Sequence, residues 1–288
     1  MTAGTTTTAT ATAAATVPGL AGLAGRISEA LGRSLTVAEL YGPLGGPVYH
    51  ELTATDVNEV RDLLAVLRGR RGPVLELACG SGRLTVPLLT AGHQVTGVDT
   101  SRSLLSTLRA RMADPAAERL ACRLELVEAD MCALGLDRTF DAAVLGTTTI
   151  GLVPPEVRPD FFRRVRDHLR PEGLFALSAH LPEEAPGASA AGGSAGPADT
   201  VRPLVTGGAV HFVIERSDGA RERRHVSVFR VAAEGQPLLL HSTVHVPRPE
   251  TLVAELDDAG FTVDTVRPAR ATTAALTDLS IIVARRNG

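Results

Sequence analysis

The stretch Val74-Leu-Glu-Leu-Ala-Cys-Gly-Ser-Gly-Arg-Leu84, followed by Val95-Thr-Gly-Val-Asp99, decides the fold. It reads as an apolar strand, a glycine turn, a helix, and a second strand ending in a lone carboxylate. Turn glycines let backbone approach a ligand closely, and a helix N-terminus presents unpaired N–H groups to it. Asp99 sits where an acid can accept two hydrogen bonds from a ribose diol. A dinucleotide fingerprint needs a third glycine, yet Gly82 is followed by Arg83, Leu84 and Thr85. Glu76, just before the turn, would repel a pyrophosphate but suits an ammonium or sulfonium. The pattern predicts a cradle for a cationic nucleoside ligand.

Outward from this stretch, strands and helices alternate, which predicts an α/β fold with a doubly wound parallel sheet. The five strands expected are Val74–Ala78, Gln94–Val98, Arg123–Glu128, Phe140–Leu145 and Leu174–Ala179, within a core of residues 74–181. Before the last, Val157, Phe161, Val165 and Leu169 form one helical stripe, and the neighbouring arginines read as a solvated basic face. Pro171-Glu-Gly173 reads as a helix stop.

The flanks differ. Residues 1–17 are nearly all threonine and alanine, with neither the basic nor the apolar region of a signal peptide, and read as a disordered tail. Residues 18–73 read as a helical cap: one helix from Pro18, a Gly/Pro-rich connector holding Tyr41 and Tyr49, then a helix from Ala54 to Leu67. Residues 182–203 are rich in Gly, Ala, Ser and Pro and read as a flexible loop or lid. Alternating runs at Val210–Glu215, His225–Val231 and Leu238–Val246 predict an antiparallel meander within 204–248. Residues 249–288 predict a final helix and closing strands, Phe261–Val266 and Leu279–Ala284.

Composition narrows the function. With 288 residues, 44% of them hydrophobic, the chain can bury a full core. A net charge of -3, 3% aromatics and no tryptophan argue against nucleic-acid partners. All 29 basic residues are arginine, which fits a high-GC bacterial genome. The three cysteines form no C-x-x-C pair, which fits a reducing cytoplasm without a zinc site. No run approaches transmembrane length, so a membrane partner is not expected.

Glu76-x-x-Cys-Gly-Ser-Gly82 resembles the first motif of class I S-adenosylmethionine-dependent methyltransferases. The resemblance covers roughly residues 37–288 and is strongest over 74–181. It implies a Rossmann-like seven-stranded sheet with an antiparallel β insertion after strand five. The cofactor it implies is S-adenosylmethionine, leaving S-adenosylhomocysteine, with no metal. It places Ala78, Gly80 and Gly82 at the methionine moiety and ribose, with Glu76 beneath them. Asp99 and Thr100 fall at the ribose, Leu104 on one adenine face, and Asp130 and Met131 at the adenine amino group and ring. Gly146-Thr-Thr-Thr-Ile150 ends the fourth strand beside the transferable methyl, with Gly146 toward the cofactor and Thr147 and Thr148 toward the substrate. Tyr49 is expected at the methionine end and Tyr41 near the substrate.

The fourth strand end carries neither the Asn/Asp-Pro-Pro-aromatic segment of nucleic-acid amino-methylating enzymes nor the Pro-Cys of cytosine C5 enzymes. A small molecule or peptide is the substrate class expected. The tyrosine connector, the meander and Asp258-Ala-Gly-Phe261 resemble methyltransferases acting on amino groups of sugars and other natural products, including those of daptide-type ribosomal peptide pathways. N-methylation, single or double, is the activity this implies. An amine must shed its proton before attack, and His180, after the fifth strand, is the candidate base. O-methylation and non-catalytic cofactor binding are the alternatives. His241 and His245 share a strand face about 13 Å apart at ~3.3 Å per residue, too far for one metal; with His211 and His225 they read as exposed strand histidines.

Overall fold

A computed structural model describes residues 20–53, 59–180, 198–218, 222–269 and 279–288. The 1–17 tail and most of the 182–203 segment lie outside the described residues.

In chain order the elements are α1 (Gly22–Leu31), β1 (Thr36–Glu39), α2 (Gly45–Thr53), α3 (Val60–Val66), β2 (Val74–Leu77), α4 (Thr85–Thr90), β3 (Val95–Asp99), α5 (Arg102–Met112), α6 (Glu118–Ala121), β4 (Leu124–Glu128) and β5 (Phe140–Leu145). They continue with α7 (Arg158–Asp167), β6 (Leu169–His180), β7 (Asp199–Thr206), β8 (Ala209–Asp218), β9 (Arg223–Ala232), β10 (Leu238–His245), α8 (Pro249–Asp258), β11 (Phe261–Pro268) and β12 (Leu279–Arg286).

The main sheet has seven strands in the order β11-β12-β6-β5-β2-β3-β4. The pairs among β6, β5, β2, β3 and β4 are parallel, and β12 runs antiparallel to both β6 and β11. All four residues of β2 are buried, as a central strand covered by helices on both faces requires. One face packs five phenylalanines (Phe140, Phe161, Phe162, Phe175, Phe261) with α7 and α8. The other packs Leu63, Leu67, Leu84, Leu88 and Leu89 from α3, α4 and the residues beside them. Strand order reverses beside β2, between β5 and β3, and open sheets bind ligands beyond the strand ends at such a point.

A second sheet, β1-β10-β9-β8-β7, stands apart from the first. Its strands β7 to β10 form an antiparallel meander, and β1 adds to β10 in parallel. Leu240, Val228 and Val213 on one face pack against Tyr41, Val48, Tyr49 and Leu52. Leu239 and Phe229 on the other face pack against α1 through Ala24 and Ile27.

Several expectations need correction. Thr36–Glu39 is a strand, because Leu238–His241 supplies a partner two hundred positions away that no local pattern reveals. The Gly/Pro connector contains α2, since its Gly46 packs closely on Ser103 and Leu104 of α5. Asp199–Thr206, read partly as loop, pairs along its length with β8. The Pro171–Gly173 stop lies within β6 as an irregularity, with Glu172 in the left-handed region at φ 63°. Arg158 of α7 is 3% exposed and holds Glu255 of α8 through Nε and Nη2, so it is not part of a solvated face.

Candidate active site

The glycine turn after β2 is fastened to the end of β3 by Asp99. Its Oδ2 accepts the Gly80 amide at 2.8 Å and its Oδ1 accepts the Ser101 amide at 2.7 Å. Each oxygen keeps a second lone pair, the capacity a vicinal diol needs. Burial raises the Asp99 pKa, against the pull of the Ser101, Gly80 and Thr100 amides. Gly80 sits at φ 54° and Gly82 at φ 89°, the left-handed region that favours glycine. A Cβ on Gly82 would meet Leu108 Cδ1 at 2.5 Å, so this glycine also serves the packing of α5.

Non-glycine residues share that conformation here. Ala78 lies at φ 53°, and Thr147 and Thr148 at φ 59° and 53°. Each such residue costs on the order of 1–3 kcal/mol, and such strain clusters at functional sites. The two strained segments follow β2 and β5, which are neighbours in the sheet.

Between them opens a cleft of about 520 Å³, within the range of ligand sites. Its floor holds Ala78, Gly80, Ser81 and Asp99; Thr100, Leu104, Asp130 and Met131 line one end, and Arg83, Thr147 and Thr149 the other. Tyr41, Tyr49 and Thr53 form the roof, the two tyrosine rings meeting edge to face with centroids 5.0 Å apart. His50 fixes this roof to the floor, its Nδ1 sharing a 2.7 Å hydrogen bond with Ser81 Oγ. Asp130 accepts the Cys132 amide at 2.8 Å, so it serves a local turn as well as the cleft rim.

Four expected residues lie behind the lining. Glu76 is 3% exposed, and its Oε2 has no hydrogen-bond partner among the described residues. Burial pushes its pKa up to about 8, against the pull of nearby Thr85 and Arg83; Thr85 Oγ1 still lacks a partner of ordinary geometry. Gly82 and Gly146 are buried behind the surface, Gly146 facing Glu59, Leu63 and Leu84. The Thr148 amide donates to Ser178 Oγ at 2.9 Å.

His180 is not brought to the cleft. It ends β6 opposite Leu279, and burial first, then Arg224, push its pKa down to about 3. Such an imidazole is too weak a base to take a proton from an ammonium. Two other histidines correct the expectation of exposure. His211 is fully buried and shares a 3.2 Å hydrogen bond with Thr206, while His241 is 2% exposed, bonded to Ser227 and stacked on His225. No group of three or more metal-ligating side chains occurs among the described residues. No helix among them is long and apolar enough to cross a membrane.

Sequence reasoning missed Glu59 and Arg83. Glu59, 2% exposed, accepts the Thr147 amide at 2.8 Å and pairs with Arg83, whose Nη2 also donates to Thr147 Oγ1 at 2.8 Å. No motif spacing links residues 24 apart in a loop and a turn.

The donor set fits S-adenosylmethionine. Asp99 could offer paired acceptors to a ribose, Leu104 and Met131 an apolar surface to an adenine, and the unpartnered Glu76 oxygen lies buried behind the glycine turn. Comparison with known proteins agrees. The family described as Methyltransferase domain matches residues 74–173. A cypemycin N-terminal methyltransferase from a Streptomyces species is 34% identical over 112 residues, 38% of this chain and 43% of that protein. The chain thus spans less than half the length of that curated relative. The glycopeptide N-methyltransferase MtfA, solved with S-adenosylhomocysteine, superposes with a TM-score of 0.64 at 26% identity, covering 94% of this chain and 100% of that one. The CcbJ methyltransferase from Streptomyces caelestis shares the fold at a TM-score of 0.65 and 21% identity, covering 81% and 90%. Over residues 74–173 the chain matches a methyltransferase domain family, and it is similar to S-adenosylmethionine-dependent methyltransferases.

Proposed function

We propose that this protein transfers methyl from S-adenosylmethionine to an amine nitrogen of a small molecule or peptide in bacterial natural-product biosynthesis, in the cytoplasm. The observation that carries the reading is the cleft's composition: an acid-and-glycine cradle continues into a tyrosine-roofed end that no histidine lines. The bound cofactor supplies an activated methyl on a sulfonium, so the protein's task is placement and exclusion of water.

In this reading Asp99 and Thr100 hold the ribose, Leu104, Asp130 and Met131 the adenine, and Ala78, Gly80, Gly82 and Gly146 shape the backbone around the methionine portion. Glu76 lies beneath the turn, held toward its neutral form by burial in the ligand-free protein, and the cofactor's positive charge favours its ionised form. Tyr49 covers the methionine end, while Tyr41, Thr147 and Thr148 face the acceptor. The Tyr41 hydroxyl, pushed up to about 12 by burial, stays a neutral hydrogen-bonding group. The meander of 204–248 covers the acceptor. An amine supports this arrangement better than a hydroxyl, because a hydroxyl needs a base in the transition state and no histidine lines the cleft. The names of the cypemycin and MtfA enzymes point the same way.

The test is incubation with S-adenosylmethionine and parallel panels of peptides with free N-termini, aminosugars, and their hydroxyl counterparts, read by mass spectrometry. Addition of methyl to amines alone supports the proposal. Transfer only to hydroxyls would overturn it.

A further inference from the structure

The Glu59–Arg83 pair has no part in the cradle as read from sequence, yet it is bonded to Thr147 at the end of the cleft that follows β5. Arg83 follows the glycine turn and lines the cleft, its side chain 12% exposed. A guanidinium stays protonated under all working conditions. A fixed cation in a narrow cleft opposes a second cation nearby, and little solvent is present to screen it. Glu59, at the start of α3, answers that charge directly, its carboxylate bonded to Arg83 and to the Thr147 amide. The contact is built tightly: Gly146 has no side chain, and a Cβ there would stand 3.3 Å from Glu59 Oε1. Glu76 also feels Arg83, but its carboxyl is held toward the neutral form by burial.

We infer that Glu59 is a charge-matching residue: by neutralising Arg83 it raises the cleft's affinity for a sulfonium cofactor relative to that for the uncharged thioether product. This rests on the methyltransferase reading above. S-adenosylmethionine and S-adenosylhomocysteine share adenosine and amino-acid portions and differ at sulfur by one methyl and one positive charge. A merely structural role for Glu59 would weaken both alike; a charge role separates them.

The experiment is calorimetric titration of the full chain and its variants with each ligand. In Glu59→Gln the affinity for S-adenosylmethionine falls at least about tenfold relative to that for S-adenosylhomocysteine, the scale of losing one negative charge beside a cation. In Arg83→Gln the ratio moves the other way, by about threefold or more. In the double variant it returns to within about threefold of the wild type. Equal weakening of both ligands in Glu59→Gln, or an unchanged ratio, overturns the inference. If Glu59→Gln does not fold, Arg83→Gln decides alone, and an unmoved or reversed ratio there overturns it. Failure of the wild type to bind either ligand would instead remove the methyltransferase reading, and the inference with it.

Discussion

Replacing Glu76 by glutamine should make the ligand-free protein more stable above neutral pH while weakening its hold on the cofactor. The carboxyl is fully buried, one oxygen unpartnered, and its pKa rises from 4.5 to about 8. A raised folded-state pKa means the native state binds the proton more tightly than the unfolded chain does. The stability this contributes is complete below about pH 4.5 and is lost as pH rises toward about 8. Each pKa unit corresponds to about 1.4 kcal/mol, so about 3–4 kcal/mol disappears between about pH 5 and about pH 8. Glutamine keeps the shape, cannot ionise, and can donate to the orphaned Thr85 hydroxyl. Its stability should therefore stay level across the window, leaving the variant on the order of 10 °C higher in melting temperature at the alkaline end. The assay is thermal or urea denaturation without ligand, wild type against Glu76→Gln, in a pH series. Parallel pH profiles for the two proteins would refute the assignment of an uncompensated buried carboxyl.

Other outcomes follow from the same geometry. Asp99→Asn removes charge from a group accepting two amides and positioned for a ribose; S-adenosylhomocysteine affinity should fall by about 100-fold or more, and normal calorimetric binding would exclude Asp99 from the cradle. Gly82→Ala forces a side chain at φ 89° against Leu108, which should cost about 2–4 kcal/mol in denaturant unfolding; a loss under about 0.5 kcal/mol would contradict that packing. His180→Asn should keep turnover within about threefold because this histidine stands outside the cleft and is held neutral by burial; a loss of about 100-fold would restore it as the base.

What could be read from sequence was local. The Val74–Leu84 turn and Asp99 lie within 26 consecutive positions, and the geometry that joins them is the short βαβ unit itself. The central strands were legible because burial on both faces makes them mostly apolar, Glu76 in β2 being an exception. Glu59 and Arg83 escaped because their pairing is made by α3 docking beside the turn, a tertiary event with no periodic trace. The two edge strands of the second sheet, Thr36–Glu39 and Asp199–Thr206, escaped for a related reason. They are half-exposed, one is only four residues long, and β1 exists only because β10 supplies its partner. His180 was misplaced by one geometric step: strand order puts it at the correct end of the sheet, but β12 and Arg224 enclose it there.

The central claim is that the cleft is built for a sulfonium nucleoside and not for a dinucleotide. Calorimetric titration of the purified protein with S-adenosylmethionine, S-adenosylhomocysteine and NAD tests it most directly. Micromolar binding of the first two with no heat from NAD is the predicted result. Binding of NAD alone would contradict it, and would mean that the acid at Glu76 and the missing third glycine do not govern which cofactor enters.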